Sequence, residues 1–159
     1  MLPSAVFPGS FDPITIGHHD IIIRGLNLFE TIIIALGSNA DKKSFFNIDA
    51  RFRMISQLYE KQPRIRVEIY DGLTVDFCRS KGVRFLLRGL RTSADFEFER
   101  VIAHANRKLY PDIETVFLLT APEHSFISSS LLKEILSYGG DVSSFLPPDL
   151  NLAAFIPHH

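Results

Sequence analysis

The chain has 159 residues, with 17 Lys and Arg against 18 Asp and Glu and a formal net charge of -1. That length suffices for one domain with a real core, and the near balance of charge gives no reason to expect a nucleic-acid or membrane-surface binder. The single cysteine, Cys78, excludes an intramolecular disulfide and fits a reducing compartment.

The opening MLPSAVFPGS lacks the basic start and long apolar core of a signal peptide. No apolar run approaches the ~20 residues of a membrane span, so the expectation is a soluble cytoplasmic protein. In chain order, AVF (5–7) is a first short strand, and HHDIIIRGLNLF (18–29) places Ile21, Ile22, Gly25, Leu28 and Phe29 at helical spacing. TIIIALG (31–37) is apolar and β-branched, as a strand covered on both faces should be. NIDARFRMISQLY (47–59) predicts a helix with Asn47 as its N-cap. RIRVEIY (64–70) alternates as a strand with one wetter face, TVDFCRSKG (74–82) is a short helix ending at Gly82, and VRFLLRG (83–89) is a strand. SADFEFERVIAHANRKLY (93–110) is a long helix closed by Pro111, and ETVFLLT (114–120) is the fifth strand. SSLLKEILSYGG (129–140) is a helix, and LPPDLNLAAFI (146–156) is expected to be a last one, with Pro147 or Pro148 near its start.

Five strands separated by helices predict an α/β, Rossmann-like, doubly wound parallel sheet with helices on both faces, in a single domain spanning 1–159. Such sheets bind ligands beyond the carboxyl ends of their strands, where the strand order reverses. That rule singles out residues 8–18, 88–99 and 120–130, and the unusual polar residues of the chain concentrate there.

The first of these segments is FPGSFDPITIGHHD (7–20). His18 and His19 are adjacent, about 100° apart on a helix, and match no zinc spacing, so no protein-held metal is expected. Gly9 and Gly17 let a ligand approach the backbone, while a helix start with free N–H groups, a His in its first turn and Ser10 suit a phosphate. A Pro/Gly turn with a capping His remains the plainer alternative. The Gly pattern is not a Walker loop.

Thr15-Ile16-Gly17-His18 resembles the T-x-G-H form of the nucleotidyltransferase superfamily signature. Together with LLRGLRTSADFEFE (86–99) and SFISSSLLKEI (125–135), it resembles the phosphopantetheine adenylyltransferase family of coenzyme A synthesis, over residues 5 to 149. The resemblance implies transfer of the adenylyl group of ATP to 4′-phosphopantetheine, giving dephospho-coenzyme A and pyrophosphate, by direct in-line attack without a covalent enzyme intermediate. It assigns catalysis to His18, Lys42 and Arg91. It assigns ATP contacts to Ser10, Phe11, His18, Gly89, Leu90, Arg91, Glu99, His124, Ser125, Phe126, Ile127, Ser128, Ser129 and Ser130. The acceptor would be held by Ser10, Lys42, Thr74 and Arg88. Ser10 stands where Thr is common, Thr74 where a hydrophobic residue is common, and His124 where Trp is common. Asp12 and Pro13 are read as shaping the loop, Asp95 as sharing a helix face with Glu99, and His19 as a surface or supporting residue. Cys78 is read as a small packed residue. Phe45, Phe46, Phe96 and Phe98 are read as core or interface. Magnesium is implied, bound mainly through the ATP phosphates, as are occupancy by dephospho-coenzyme A or coenzyme A, a homohexamer, and no nucleic-acid or membrane partner.

Overall fold

The computed structural model describes residues 1–38 and 43–156. Five strands, β1 (Ser4–Gly9), β2 (Thr31–Gly37), β3 (Ile65–Tyr70), β4 (Phe85–Leu90) and β5 (Glu114–Leu119), form one parallel sheet in the order β3-β2-β1-β4-β5. The helices between them are α1 (Ile16–Gly25), α2 (Ile48–Leu58), α3 (Thr74–Ser80) and α4 (Ser93–Leu109), with α5 (Ser129–Ser137) after β5. This is the expected Rossmann-like architecture, and its order reverses between β1 and β4.

The strands explain the two-sided core. In β2, Ile32, Ile34 and Leu36 pack with Ala5 and Phe7 under α1, α2 and α5, while Ile33 and Ala35 face Val6, Leu86 and Cys78 on the other side. This period of two is what a continuous apolar run must produce in a sheet covered on both faces. Cys78 is fully buried, as a packed residue, and burial pushes its thiol up to about 11. At the β3 edge, Arg66 is exposed as the alternation predicts, but so is Ile69, because few elements cover that end.

Close packing sets the position of α1. A Cβ on Gly25 would lie 2.9 Å from both Ile32 Cδ1 and Leu87 Cδ2, so only glycine lets the end of this helix settle on the sheet undisturbed. The helix begins at Ile16, where Thr15 caps it, and ends at Gly25, so both ends come earlier than the apolar spacing over 18–29 suggests. The expected helix at 146–156 is not formed; that segment holds only the single 3-10 turn Leu152–Ala154. Pro147 and Pro148 supply no N–H, and Asp149 adopts φ 71, so too few residues remain to nucleate an α-helix.

Asn47 caps α2 as expected: its side-chain oxygen accepts from the Ala50 N–H at 2.7 Å. Asn47→Ala is expected to lower stability by about 1 kcal/mol and Asn47→Asp by only a few tenths of that. Urea unfolding of both variants checks this, and equal losses would rule out the cap as the cause.

Candidate active site

β1 runs in register with β2 from Ser4↔Thr31 to Gly9↔Leu36, but it meets β4 only at Val6↔Leu86. Beyond that pair the two strands part. A cavity of about 300 Å³ opens between their carboxyl ends, walled by Phe7 to Phe11, by Thr15, Gly17, His18 and Ile21 of the α1 start, and by Arg88, Gly89 and Arg91. Asp95, Phe98 and Glu99 of α4, Thr120 after β5, and Ile127 to Ser130 at the start of α5 complete it. Gly89 is needed in this wall, since a Cβ there would lie 3.0 Å from Ile21 Cγ1.

His18 sits on the third residue of α1 and closes a reciprocal cap. Its backbone N–H donates to Thr15 Oγ1 at 3.3 Å, and its Nδ1 accepts from the Thr15 N–H at 3.0 Å. An Nδ1 that accepts a backbone N–H carries no proton, so the neutral ring is the Nε2–H tautomer. The Nε2–H has no protein partner among the described residues. Burial, then the charges of Arg88 and Arg91, pull the imidazole down to about 4, so at neutral pH it is an uncharged donor. Phe11 lies edge-on at 5.0 Å between ring centroids. Capping and ligand binding are therefore compatible, because they use opposite ring nitrogens.

Two arginines dominate the charge. Arg88 donates to both carboxylate oxygens of Glu99, at 3.1 and 2.7 Å, and through Nη1 to the Pro8 carbonyl. Arg91 donates to Asp95 Oδ2 from its backbone N–H at 2.9 Å and its Nε at 3.3 Å, and to the Ile127 carbonyl. Two helix starts face the same space. At α5, Ser128 is the N-cap, accepting from the Leu131 N–H at 3.1 Å, and Ser129 Oγ donates to the Pro13 carbonyl at 2.8 Å. Exposed guanidinium edges, helix N-termini and a neutral imidazole donor together form a site for a polyanion.

A second hollow of about 210 Å³ shares Pro8, Gly9, Arg88 and Glu99 with the first and extends past Tyr70, Thr74, Ile102, Asn106 and Thr115. Thr74 Oγ1 lies 2.8 Å from the Tyr70 hydroxyl, so each satisfies the other. Thus the structure gathers Ser10, Phe11, His18, Arg88, Gly89, Arg91, Glu99, Ile127, Ser128, Ser129 and Ser130 around the first cavity and sets Thr74 in the second. Leu90 is buried behind the wall, while His124, Ser125 and the exposed Phe126 lie outside it. Lys42 lies outside the described residues.

Several features escaped the sequence reading. Glu99 is the carboxylate partner of Arg88. Phe98, taken there for core or interface, is exposed and lines the cavity, as Thr120 does. Arg51 of α2 is buried and bonds the carbonyls of Ser10 and Phe46; a charged residue on the apolar face of that helix is the one signal that could have revealed it. Asp12 holds the loop as read, accepting from the Phe45 and Phe46 N–H groups, and His19 supports the packing of α1 on the end of α2, stacking on Tyr59 with a 2.8 Å hydrogen bond to its hydroxyl.

The family model described as cytidylyltransferase-like matches residues 6–135. Curated relatives named phosphopantetheine adenylyltransferase include one from Flavobacterium johnsoniae, 53% identical over 90% of this chain and 93% of its own. Another, from Thermosynechococcus vestitus, is 49% identical over 92% and 87%, and one from Thermotoga neapolitana is 42% identical over 95% and 94%. Among solved structures, a bifunctional NMN adenylyltransferase/ADP ribose pyrophosphatase from Francisella tularensis superposes with a TM-score of 0.73 at 16% identity, which speaks for the fold alone. That superposition covers 98% of this chain and 49% of the other, so the chain spans about half of that protein.

Because the fold holds the His18 pKa below its ordinary 6.5, the unfolded chain binds the extra proton between about pH 6.5 and 4. Stability contributed by the neutral ring is therefore complete above that window and is lost as pH falls through it. Unfolding free energies across pH 7 to 4 are expected to fall more steeply for wild type than for His18→Asn, and parallel curves would refute the depressed pKa.

Proposed function

This chain belongs to the phosphopantetheine adenylyltransferases of the cytidylyltransferase-like family, enzymes of coenzyme A biosynthesis, and on that premise we propose how its residues carry out the transfer. A phosphate oxygen of 4′-phosphopantetheine attacks the α-phosphorus of ATP. The bond from that phosphorus to the bridging oxygen breaks, pyrophosphate leaves, and dephospho-coenzyme A forms. No covalent enzyme intermediate is required, since positioning and charge neutralisation are what such chemistry asks of a protein.

The observation that carries this reading is the His18 geometry. An uncharged Nε2–H, locked by a backbone hydrogen bond to the opposite nitrogen, faces a cavity built for a polyanion. It donates to an α-phosphate oxygen and its bond strengthens as negative charge shifts in the transition state. Arg91 and the start of α5, with Ser128, Ser129 and Ser130, take the β- and γ-phosphates. Ser10 adds a hydroxyl donor. Arg88, at the junction of the two hollows, holds the acceptor phosphate while Glu99 fixes its fork; a role for Lys42 at the reacting phosphates rests on the family resemblance alone. The pantetheine arm then lies in the second hollow beside Thr74. Gly89, Phe11 and Ile127 shape the nucleotide end, with Leu90 packed behind them and the segment His124 to Phe126 beyond the cavity wall.

Magnesium belongs to this reading: it neutralises triphosphate charge. The cavity carboxylates Asp95 and Glu99 already accept from arginines, so the ion would be held mainly through the ATP phosphates. A homohexamer in the cytoplasm completes the proposal; the exposed Val101, Leu109 and Leu119 offer apolar surface for assembly.

Pyrophosphate release from Mg·ATP is expected to require 4′-phosphopantetheine and to fall about 100- to 1000-fold in folded His18→Ala. Release supported by nicotinamide mononucleotide instead would redirect the assignment to another acceptor. ATP binding without release by wild type would make the chain a binding module.

A further inference from the structure

Arg51 does not line the cavity, yet it is tied to its most important loop. It lies on α2 at 6% exposure, and Asp12 at 2%, beside one another in the core. Arg51 Nη1 donates to the Ser10 carbonyl at 2.7 Å and its Nε donates to the Phe46 carbonyl at 3.0 Å. Asp12 works in the opposite sense: its two carboxylate oxygens accept from the Phe45 and Phe46 N–H groups, each at 2.8 Å. The loop after β1 and the segment entering α2 are thus cross-braced, one side chain from each reaching across to the other's backbone. Lys133 of α5, 3.8 Å from Asp12, adds a third support.

A buried guanidinium is costly, and an apolar side chain would fill this volume at less desolvation. Its directed bonds explain its presence. One of them ends on Ser10, directly before Phe11, which holds the left-handed φ of 46 that a bulky residue rarely adopts. Such a conformation persists only where its surroundings over-determine it. The Phe11 ring in turn lies against the His18 imidazole.

We propose that Arg51, cross-braced with Asp12, is a positioning residue for adenylyl transfer, acting through Ser10 and Phe11 to hold His18 in its reactive orientation. This rests on the reaction assigned above. Arg51→Lys keeps the charge but cannot bond both carbonyls in the same plane. Its kcat is expected to fall about 10- to 100-fold, with KM for ATP and for 4′-phosphopantetheine each within about threefold of wild type. On a His18→Ala background the same substitution is expected to cost less than about threefold, because the two act as one unit. An unchanged kcat, or an equal loss in both backgrounds, would overturn the proposal.

If Arg51→Lys does not fold, Asp12→Asn loosens the brace from the other side and carries the same test; a wild-type kcat there overturns it equally. Imidazole nitrogen resonances separate this inference from the reaction itself. If wild type releases no pyrophosphate, the reaction is wrong, but a loosened brace must still raise the His18 titration by about one pH unit. An unmoved titration counts against the brace whatever the reaction.

Discussion

Arg88 occupies the gap where β1 and β4 part, and the site is arranged around that guanidinium. Past Val6↔Leu86 the end of β1 has no strand on its β4 side. Pro8 has no N–H to offer, and its carbonyl is satisfied by Arg88 instead. Glu99 then holds the fork from α4 with both carboxylate oxygens. The same contact set keeps the strands apart, supplies positive charge to the opening, and forms the wall shared by the two hollows. An acceptor phosphate that engages Arg88 therefore meets an anchored donor, with little reorganisation left for the reacting state.

The electrostatics explain why His18 is neutral. Two guanidiniums and the start of α1 already make this region positive, and an imidazolium beside them would be a further buried cation. The fold resolves this locally. The Thr15 N–H occupies Nδ1, which fixes the tautomer and leaves an uncharged donor on the far side of the ring. A donor of that kind is available before ATP arrives and needs no proton uptake on binding. The T-x-G-H spacing has a mechanical meaning here: Thr at the cap and His three residues on are the positions that close a reciprocal cap.

What was legible in the sequence was what repeats or caps locally. The apolar run Ile32 to Leu36, the helical spacing and cap of 47–59, and the T-x-G-H turn each announce themselves within a few residues. With the other strand and helix patterns they give a five-strand parallel sheet and the end of it where ligands gather, but not the strand order, which the structure supplies. The C-terminal stretch misled because a proline near a helix start is favourable, whereas here two prolines and the left-handed Asp149 leave no room for nucleation. The pairing of Arg88 with Glu99, and the reach of Arg51 to Ser10, were invisible for another reason. Arg88 and Glu99 stand 11 residues apart on a strand and the helix after it, and Arg51 of α2 and Ser10 in the loop after β1 stand 41 apart. No periodicity records which groups will meet across such a change of element. The place of Phe98 at the cavity wall was not legible, because an aromatic at a helical position looks the same in a core, at an interface or at a cavity wall.

The two hollows differ in how much they can discriminate. The first is made of features any nucleotide triphosphate would accept: helix starts, glycine, guanidinium edges and a neutral imidazole. Such features suit phosphates, which all nucleotide donors share. The second is walled by side chains from β3, α3 and α4, and its polar members are partly self-satisfied, as Thr74 is by Tyr70. A hydroxyl with an internal partner suffers little when a ligand offers it nothing, so it tolerates an apolar stretch of acceptor beside it. Rejection of a wrong acceptor must then come from shape and from the distance between that wall and Arg88. If the acceptor's arm lies in the second hollow as proposed, the acceptor is chosen along that arm while the chemistry is set at the phosphate end.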